Sequence, residues 1–161
     1  DETERELVAQ RLMQNIPTGN FDLEHLKSIH RHLFQDLYSW AGEIRTVEIS
    51  RDGHQFQFRQ YIETGMADVD RRLAEEHYFQ GCKPAAFARK AAGIIGDINY
   101  VHPFRDGNGR TQLQYLKQLG ERAGRIVDLS LLQKNSWIEA SKEAHQARYD
   151  GMARCIEAAL T

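Results

Sequence analysis

Residues 102–110 read His102-Pro103-Phe104-Arg105-Asp106-Gly107-Asn108-Gly109-Arg110, and the rest of the chain is arranged around this stretch. The apolar residues before it recur at helical spacing: Phe87, Ala91, Ile94, Ile95, Ile98 and Val101. Pro103 cannot continue that helix, and it disfavours the α region for the residue before it. A second helical pattern begins after Gly109, with Leu116, Leu119 and Ala123 on one face. The stretch is therefore predicted to be a tight loop that opens into a helix N-terminus.

The predicted loop has the chemistry of an anion site. Unpaired backbone N–H groups at a helix start, together with the positive end of the helix dipole, favour phosphate. Gly107 and Gly109 let a ligand approach the backbone closely. Asn108 adds an amide donor, and Arg110 adds a planar guanidinium that suits phosphate oxygens. The loop is not a P-loop, because no Gly-x-x-x-x-Gly-Lys-Ser/Thr occurs in the chain.

Two further side chains of the loop are reactive. Asp106 can bind a hard cation such as Mg²⁺, which nucleotides usually bring with them. His102 has an ordinary pKa of about 6.5, which suits a general base near neutral pH. The competing interpretation is a glycine-rich helix cap in which His102 is a structural core residue. A phosphate cradle, a metal ligand and a base within nine residues favour a functional loop.

The stretch from His102 to Arg110 resembles the signature of the Fic (filamentation induced by cyclic AMP) family, His-x-Phe-x-Asp/Glu-Gly-Asn-Gly-Arg-x-x-Arg. An upstream run, Leu-Phe-Gln-Asp-Leu-Tyr-Ser-Trp-Ala-Gly-Glu-Ile-Arg at residues 33–45, also resembles the family. The resemblance extends from about residue 21 onward. Most Fic proteins transfer AMP from ATP to a hydroxyl side chain of a target protein and release pyrophosphate.

The resemblance implies a role for each matching residue. His102 would take the proton from the target hydroxyl, Asp106 would bind Mg²⁺, and Phe104 would also anchor the loop in the core. The predicted ATP- and phosphate-binding residues are Phe104, Arg105, Gly107, Asn108, Gly109 and Arg110. The chain departs from the signature at its final Arg, which is Leu113 here. In the family that Arg steadies the γ-phosphate, so Leu113 bears on the positioning of ATP.

Residues 44–58 predict a β-hairpin. Residues 45–49 and 55–58 alternate between apolar and polar side chains, with a turn expected at residues 51–54. Two strands alone are marginally stable in water, so the hairpin must pack on helices. The plain interpretation is a surface hairpin without a role. The resemblance instead implies a flap that holds the target segment, formed by Ile49, Ser50, Asp52, Gly53, His54, Gln55 and Phe56.

The other segments are predicted to be helical. Helices are expected at residues 4–13, from an N-cap at Asp22, at 61–80, from Pro84 into the loop, at 129–148 and at 150–160. His30 and His32 are interpreted as surface or packing residues. The basic residues Lys134, Lys142, Arg148 and Arg154 are interpreted as a solvated face. The predicted fold class is all-α, a Fic-like helical domain with a β-hairpin flap, occupying residues 1–161 as a single domain.

Composition limits the classes of partner. The chain has 161 residues, 27% of them charged, with a formal net charge of −2. The chain has no excess of basic residues, so nothing in its charge points to a nucleic-acid partner. It also has no apolar run of 18 residues, the length that would indicate a membrane span. We expect a cytoplasmic protein, in the bacterial cytoplasm or in a host cytoplasm if it is a secreted effector. The first residue is Asp1 rather than Met, so a fragment of a longer protein is also expected.

Two classes of function are compatible with the sequence. The first is AMP transfer (AMPylation), toxin- or effector-like, with ATP as substrate, Mg²⁺, and a target protein with a Tyr, Thr or Ser hydroxyl. The alternative is a catalytically impaired nucleotide- or protein-binding module, and Leu113 in place of the family's Arg would be the sign of the lost activity. No Glu is followed by Gly or Asn, so the family's inhibitory Ser/Thr-x-x-x-Glu-Gly/Asn motif is absent from the chain. Inhibition is therefore expected from a separate small helical antitoxin or from a segment outside these residues.

Overall fold

The computed structural model describes residues 1–161 and contains seven α-helices and one two-stranded sheet. The helices are α1 (Glu2–Leu12), α2 (Leu23–Phe34), α3 (Ile62–Glu75), α4 (Pro84–Val101), α5 (Asn108–Ala123), α6 (Lys134–His145) and α7 (Asp150–Ala159). The strands are β1 (Ser50–Arg51) and β2 (His54–Gln55), and 3-10 turns lie at Arg59–Tyr61, His77–Phe79 and Leu129–Leu131. The predicted all-α class with one hairpin is confirmed. No helix combines the length and apolar character that a membrane crossing requires.

Helix α4 is the central element, because α3, α5, α6 and α7 all pack against it. Its interior faces are almost entirely apolar, and Phe87, Ile95 and Ile98 are completely buried. Pro84 stands in its first turn, where the missing N–H costs nothing. One hydrophobic core runs through the chain, from Val8 in α1 to Ala159 in α7. The core therefore fixes the end of α4, and with it the loop at residues 102–107.

Helix α2 begins as the sequence predicts. The Asp22 carboxylate accepts a hydrogen bond from the backbone N–H of His25 at 2.9 Å. Phe21 and Leu26, on either side of the cap, are both buried. Helix α2 packs on α5 and α3, which brings its C-terminal end to the loop. The same helix therefore supports both the core and the predicted site.

Two predicted helices are too long. The predicted helix at 61–80 ends at Glu75, because His77, Tyr78 and Phe79 have positive φ angles that break the helical hydrogen bonds. The predicted helix at 129–148 is wrong at both ends. A 3-10 turn occupies its start, and α6 covers only Lys134–His145. The four inward residues predicted for α3, namely Ile62, Met66, Val69 and Leu73, are all buried.

The hairpin is present but shorter than predicted. Only residues 50–51 and 54–55 pair, and Arg51 faces His54 across a two-residue turn. The turn residues Asp52 and Gly53 have φ angles of 52° and 78°, as a type I′ turn requires. One more backbone hydrogen bond extends the hairpin, from the Phe56 N–H to the Ile49 carbonyl at 3.1 Å. Beyond it the N–H of Arg45 donates to the Pro103 carbonyl at 2.9 Å, and that of Gln57 donates to the Tyr100 carbonyl at 3.0 Å. The segments predicted as longer strands therefore run along the end of α4.

Candidate active site

The loop at residues 102–107 joins α4 to α5 as predicted, with two residues in the left-handed region. His102 ends α4 with φ 50°, and Gly107 precedes α5 with φ 82°. The Asn108 side chain closes the loop on itself. Its Oδ1 accepts from the Phe104 N–H at 3.0 Å, and its Nδ2 donates to the Phe104 carbonyl at 2.7 Å. The amide predicted to bind phosphate is thus already engaged, so it sets the loop conformation.

The His102 imidazole is buried and has one nitrogen without a protein partner. Its Nδ1 lies 3.1 Å from the Asn99 carbonyl, which can only accept, so Nδ1 carries the proton and Nε2 presents a lone pair. The ring stacks on Phe56 of the hairpin, with centroids 3.8 Å apart and planes 10° apart. Burial, with a smaller contribution from nearby Arg51 and Arg45, lowers the pKa of His102 to about 4. The imidazole is therefore neutral at neutral pH, the state that a proton acceptor needs.

Arg45 supports His102 from behind, a role that its place in a predicted strand does not indicate. Its guanidinium is buried and donates from Nε to the His102 carbonyl at 2.7 Å and from Nη2 to the Val101 carbonyl at 3.2 Å. It also donates to the carbonyls of Val47 and Gln57 at the base of the hairpin. A cation at a helix C-terminus satisfies carbonyls that have no helical partner. Arg45 therefore joins the loop at residues 102–107 to the hairpin.

Asp106 accepts hydrogen bonds through all three of its oxygens. The Tyr38 hydroxyl donates to Oδ2 at 2.8 Å, and the N–H of Gly107 donates to Oδ1 at 2.8 Å. The backbone carbonyl accepts from His30 Nε2 at 2.8 Å. The carboxylate nevertheless lies at the cavity surface. It can therefore bind a cation in a fixed orientation.

Of the two interpretations of His30, surface or packing, the structure confirms packing, because the side chain is buried behind the loop. Its Nδ1 accepts from the Gly42 N–H at 2.8 Å while its Nε2 donates to Asp106, so both nitrogens require the neutral tautomer. Burial lowers the pKa of His30 to about 4. Phe104, predicted to contact ATP, has its side chain in the core, where the ring stacks on His30 at 4.0 Å. Phe104 therefore anchors the loop and does not line the cavity.

The start of α5 offers an anion site. No side chain caps this helix start, so its first N–H groups remain available at the positive end of the dipole. The Arg110 guanidinium lies over the Phe34 ring, 4.6 Å from the centroid, and is exposed. Leu113, one turn further along α5, is half-buried and does not line the cavity. The groups on this helix that could hold a phosphate are therefore its N-terminus and Arg110.

The loop, the hairpin and α6 enclose a cavity of about 730 Å³. Most of the predicted site residues line it: His102, Arg105, Asp106, Gly107, Asn108, Gly109 and Arg110 from the loop, and Ile49, Asp52, His54 and Phe56 from the hairpin. Ser50, Gly53 and Gln55 belong to the hairpin without facing the cavity. The predicted loop and flap therefore share one site.

The third wall is α6 and the turn after it, which the sequence analysis missed. It contributes Trp137, Ile138, Glu139, Ser141, Lys142, Glu143, His145, Gln146 and Arg148. Lys142 and Arg148 are exposed, as the interpretation of a solvated face has it, and both also line the cavity. His145 contacts the hairpin edge-on to Phe56 at 5.0 Å and lies 5.6 Å from the ring of His54. The signal in the sequence was the polar helical repeat of Glu139, Lys142 and Gln146, which is also typical of any solvated helix.

Charged side chains of both signs line the cavity. Five of its lining side chains are Arg or Lys, namely Arg51, Arg105, Arg110, Lys142 and Arg148, against four carboxylates. The side-chain charges of the lining therefore nearly balance, and the groups suited to an anion are the local ones at the start of α5 and Arg110.

Comparison with known proteins supports a single family. The model of the Fic/DOC family matches residues 20–119. The chain is 36% identical over 144 residues to the protein adenylyltransferase VbhT of Bartonella schoenbuchensis, covering 89% of this chain and 30% of VbhT. It is 36% identical over 144 residues to the probable protein adenylyltransferase y4lH of Sinorhizobium fredii, covering 87% of this chain and 73% of the relative. The chain thus spans less than a third of VbhT and most of y4lH.

Solved structures share the whole fold. The BepC protein of Bartonella tribocorum, a VirB-translocated effector crystallised with bound AMPPNP, superposes with a TM-score of 0.88 at 25% identity. That match covers 99% of this chain and 85% of BepC. The N-terminal Fic domain of a Bartonella quintana effector with bound ADP also gives a TM-score of 0.88, at 27% identity, over 99% of this chain and 84% of that domain.

Proposed function

The chain belongs to the Fic/DOC family, and on that premise we propose that it transfers AMP from ATP to a hydroxyl side chain of a protein. The observation that carries the proposal is the convergence of three groups on one cavity. These are the neutral imidazole of His102 with a free Nε2, the Asp106 carboxylate and the uncapped N-terminus of α5. The adenylyltransferase names of the relatives and the nucleotides bound to similar structures agree with it.

The proposed reaction needs no covalent enzyme intermediate. The target hydroxyl oxygen attacks the α-phosphorus, and the bond from that phosphorus to the bridging oxygen breaks, so pyrophosphate leaves with the bonding electrons. His102 Nε2 takes the hydroxyl proton. The N-terminus of α5 and Arg110 hold the phosphates and stabilise their charge. The acceptor is a Tyr, Thr or Ser hydroxyl presented along the hairpin, the flap of the sequence prediction, which borders His102 through Phe56.

The residues present fit a magnesium ion that arrives with the nucleotide. No cluster of three or more His, Cys, Asp or Glu side chains exists that could hold a metal alone. Mg²⁺ in nucleotide sites usually keeps several waters and takes one or two carboxylates together with the phosphates. Asp106 is the carboxylate that would hold it here. When bound, the ion would neutralise charge on the phosphates.

The wider setting is also part of the proposal. We assign residues 1–161 to one Fic-type domain, because a single core joins its first and last helices. The chain would act in a bacterial cytoplasm as a toxin, or in a host cell as an effector; the structurally similar Bartonella proteins, which are VirB-translocated effectors, support the second setting. A separate small helical antitoxin would supply the inhibition for which this chain lacks the motif.

A labelling experiment tests the transfer. The chain is incubated with a bacterial or host lysate and with ATP labelled at either the α- or the γ-phosphate. Protein labelling from α-labelled ATP only, lost in His102→Ala, is the expected result, because AMP keeps the α-phosphate. The matched control is His77→Asn, which changes an exposed histidine that does not line the cavity. Labelling from the γ-position would instead indicate phosphate transfer.

Leu113 favours the second candidate, a binding module of the same fold. It places no charge at the cavity where the family signature has Arg. Calorimetric titration with ATP and Mg²⁺, together with the labelling experiment, separates the two candidates. A module that binds ATP without labelling any protein would replace the enzyme proposal.

A further inference from the structure

Five aromatic side chains form a connected group behind the loop, here called the aromatic layer: His30, Phe34, Tyr38, Trp40 and Phe104. Tyr38 stacks on Trp40 with centroids 4.1 Å apart and planes 7° apart, and Trp40 in turn stacks on His30 at 5.8 Å. His30 stacks on Phe104 of the loop at 4.0 Å, and Phe34 stacks on Tyr38 at 5.6 Å. The layer therefore connects the end of α2 and the segment after it to the catalytic loop.

The aromatic layer reaches the site at Asp106. The Tyr38 hydroxyl donates to Oδ2 of the carboxylate, while the adjacent Gly107 N–H donates to Oδ1. Each carboxylate oxygen can accept a second interaction, so these two bonds leave lone pairs for a ligand in the cavity. Tyr38 and Gly107 together fix the rotation of the carboxylate, and Tyr38 is the only side chain that hydrogen-bonds to it.

We propose that Tyr38 is a positioning residue that holds the Asp106 carboxylate in the orientation required to bind the divalent cation of a metal–nucleotide substrate. The inference rests on the proposed function, because it needs the nucleotide and its cation to occupy this cavity. Groups that hydrogen-bond to a metal ligand orient it, and their loss typically weakens metal binding or activity by about 10- to 100-fold.

The stacking explains why a tyrosine serves here. A side chain that holds its partner must itself be immobile, and Tyr38 lies between Trp40 and Phe34. Aromatic pairs of this kind contribute beyond their buried area. Tyr38→Phe keeps the ring in the aromatic layer and removes only the oxygen that contacts Asp106. This substitution therefore separates the positioning role from the packing role.

The test compares ATP binding in excess Mg²⁺ with ATP binding in EDTA, by calorimetry on the full chain. The ratio of the two dissociation constants measures the metal enhancement. In Tyr38→Phe we expect this enhancement to fall by about tenfold or more, while the affinity in EDTA stays close to that of the parent. The matched control is Tyr61→Phe, which removes an exposed hydroxyl that makes no hydrogen bond. That control should keep the parent's enhancement.

A double-mutant cycle shows whether Tyr38 acts through Asp106. In an Asp106→Ala background, Tyr38→Phe should cause no further loss, since the carboxylate that it positions is gone. An equal loss in both backgrounds, or an equal loss in Mg²⁺ and EDTA, would overturn the proposal and leave Tyr38 a packing residue. A parent without any metal enhancement would also overturn it, whereas His102-dependent labelling would show that the proposed transfer stands independently.

Discussion

Replacing Gly107 by Ala tests the geometry of the loop most directly. Gly107 precedes α5 with φ 82°, a conformation that costs a residue with a Cβ about 1–2 kcal/mol. A Cβ at this position would also lie 2.5 Å and 2.6 Å from two ring carbons of Phe34. Phe34 is completely buried and carries Arg110 on its face, so it has little room to move.

The backbone cost and the contact with Phe34 together set the expected loss in the free energy of unfolding. Forcing extra volume into a packed core typically costs about 1–3 kcal/mol, which adds to the backbone cost. A total loss of about 3 kcal/mol in the free energy of unfolding corresponds to a fall in Tm of about 6–12 °C for a chain of this size. Because Phe34 also supports Arg110, we expect Gly107→Ala to weaken ATP binding as well.

Thermal and urea unfolding measure the loss, with Gly124→Ala as the matched control. Gly124 ends the same helix with φ 86°, and a Cβ there would meet no atom within 4 Å. The control therefore carries the backbone cost alone, about 1–2 kcal/mol. Combining Gly107→Ala with Phe34→Leu should cost less than the two single changes added together, because the smaller side chain relieves the contact.

Equal losses of stability in Gly107→Ala and Gly124→Ala would refute this reasoning. That result would mean that the Phe34 ring yields without cost, so the loop would not be held against α2. Strict additivity with Phe34→Leu would lead to the same conclusion, since a relieved clash must appear as a coupling energy.

Three further predictions concern catalysis, the missing Arg and pH. His102→Ala should slow protein labelling by about 10²–10⁴-fold with ATP affinity nearly unchanged, and unaltered labelling rates would remove His102 from the mechanism. Leu113→Arg should tighten ATP binding about tenfold, because position 113 lies one turn after the exposed Arg110 and one charge-assisted hydrogen bond allows a gain of this size. A lower Tm with unchanged ATP affinity would show instead that Leu113 contributes to packing. In the folded chain the pKa values of His30 and His102 are lowered to about 4. Below pH 6.5 the unfolded chain therefore binds more protons than the folded chain. The free energy of unfolding should consequently fall from pH 6.5 toward pH 4, by up to about 1.4 kcal/mol per pH unit for each histidine. Urea unfolding at several pH values measures this slope, and in His30→Gln one histidine's share of it should vanish.

The sequence predicted the loop well because its determinants are local. Pro103 ends one helix, and the glycines permit the turn that opens into the next, so the break between α4 and α5 depends on residues close together in the chain. The cap at Asp22 and the turn at Asp52–Gly53 were predictable for the same reason. The predicted helix at 61–80 failed because three residues with side chains, His77, Tyr78 and Phe79, adopt positive φ. Tertiary packing imposes that conformation, and local propensity gives no sign of it.

The groups that hold the loop in place were beyond local reasoning. His30 contacts the Asp106 carbonyl across 76 positions of sequence, and Arg45 contacts the His102 carbonyl across 57. Taken alone, neither residue indicates such a contact, because one is a histidine on a predicted helix and the other is a basic residue in a predicted strand. Their roles depend on the way in which α2 and the hairpin converge on the end of α4.

The division of the cavity among three segments has a consequence for how such proteins differ. The loop side of the cavity is built by nine consecutive residues, so a sequence motif can identify it, although His30 and Arg45 from other segments also hold its conformation. The opposite wall comes from α6, which must bury Ala140 and Ala144 against the core but faces the cavity with exposed residues such as Lys142. Those exposed positions can change without loss of folding, since surface substitutions usually alter stability by less than about 0.5 kcal/mol. The loop side of the cavity is therefore tied to the fold, whereas the exposed positions of α6 on the other side can be substituted independently of it.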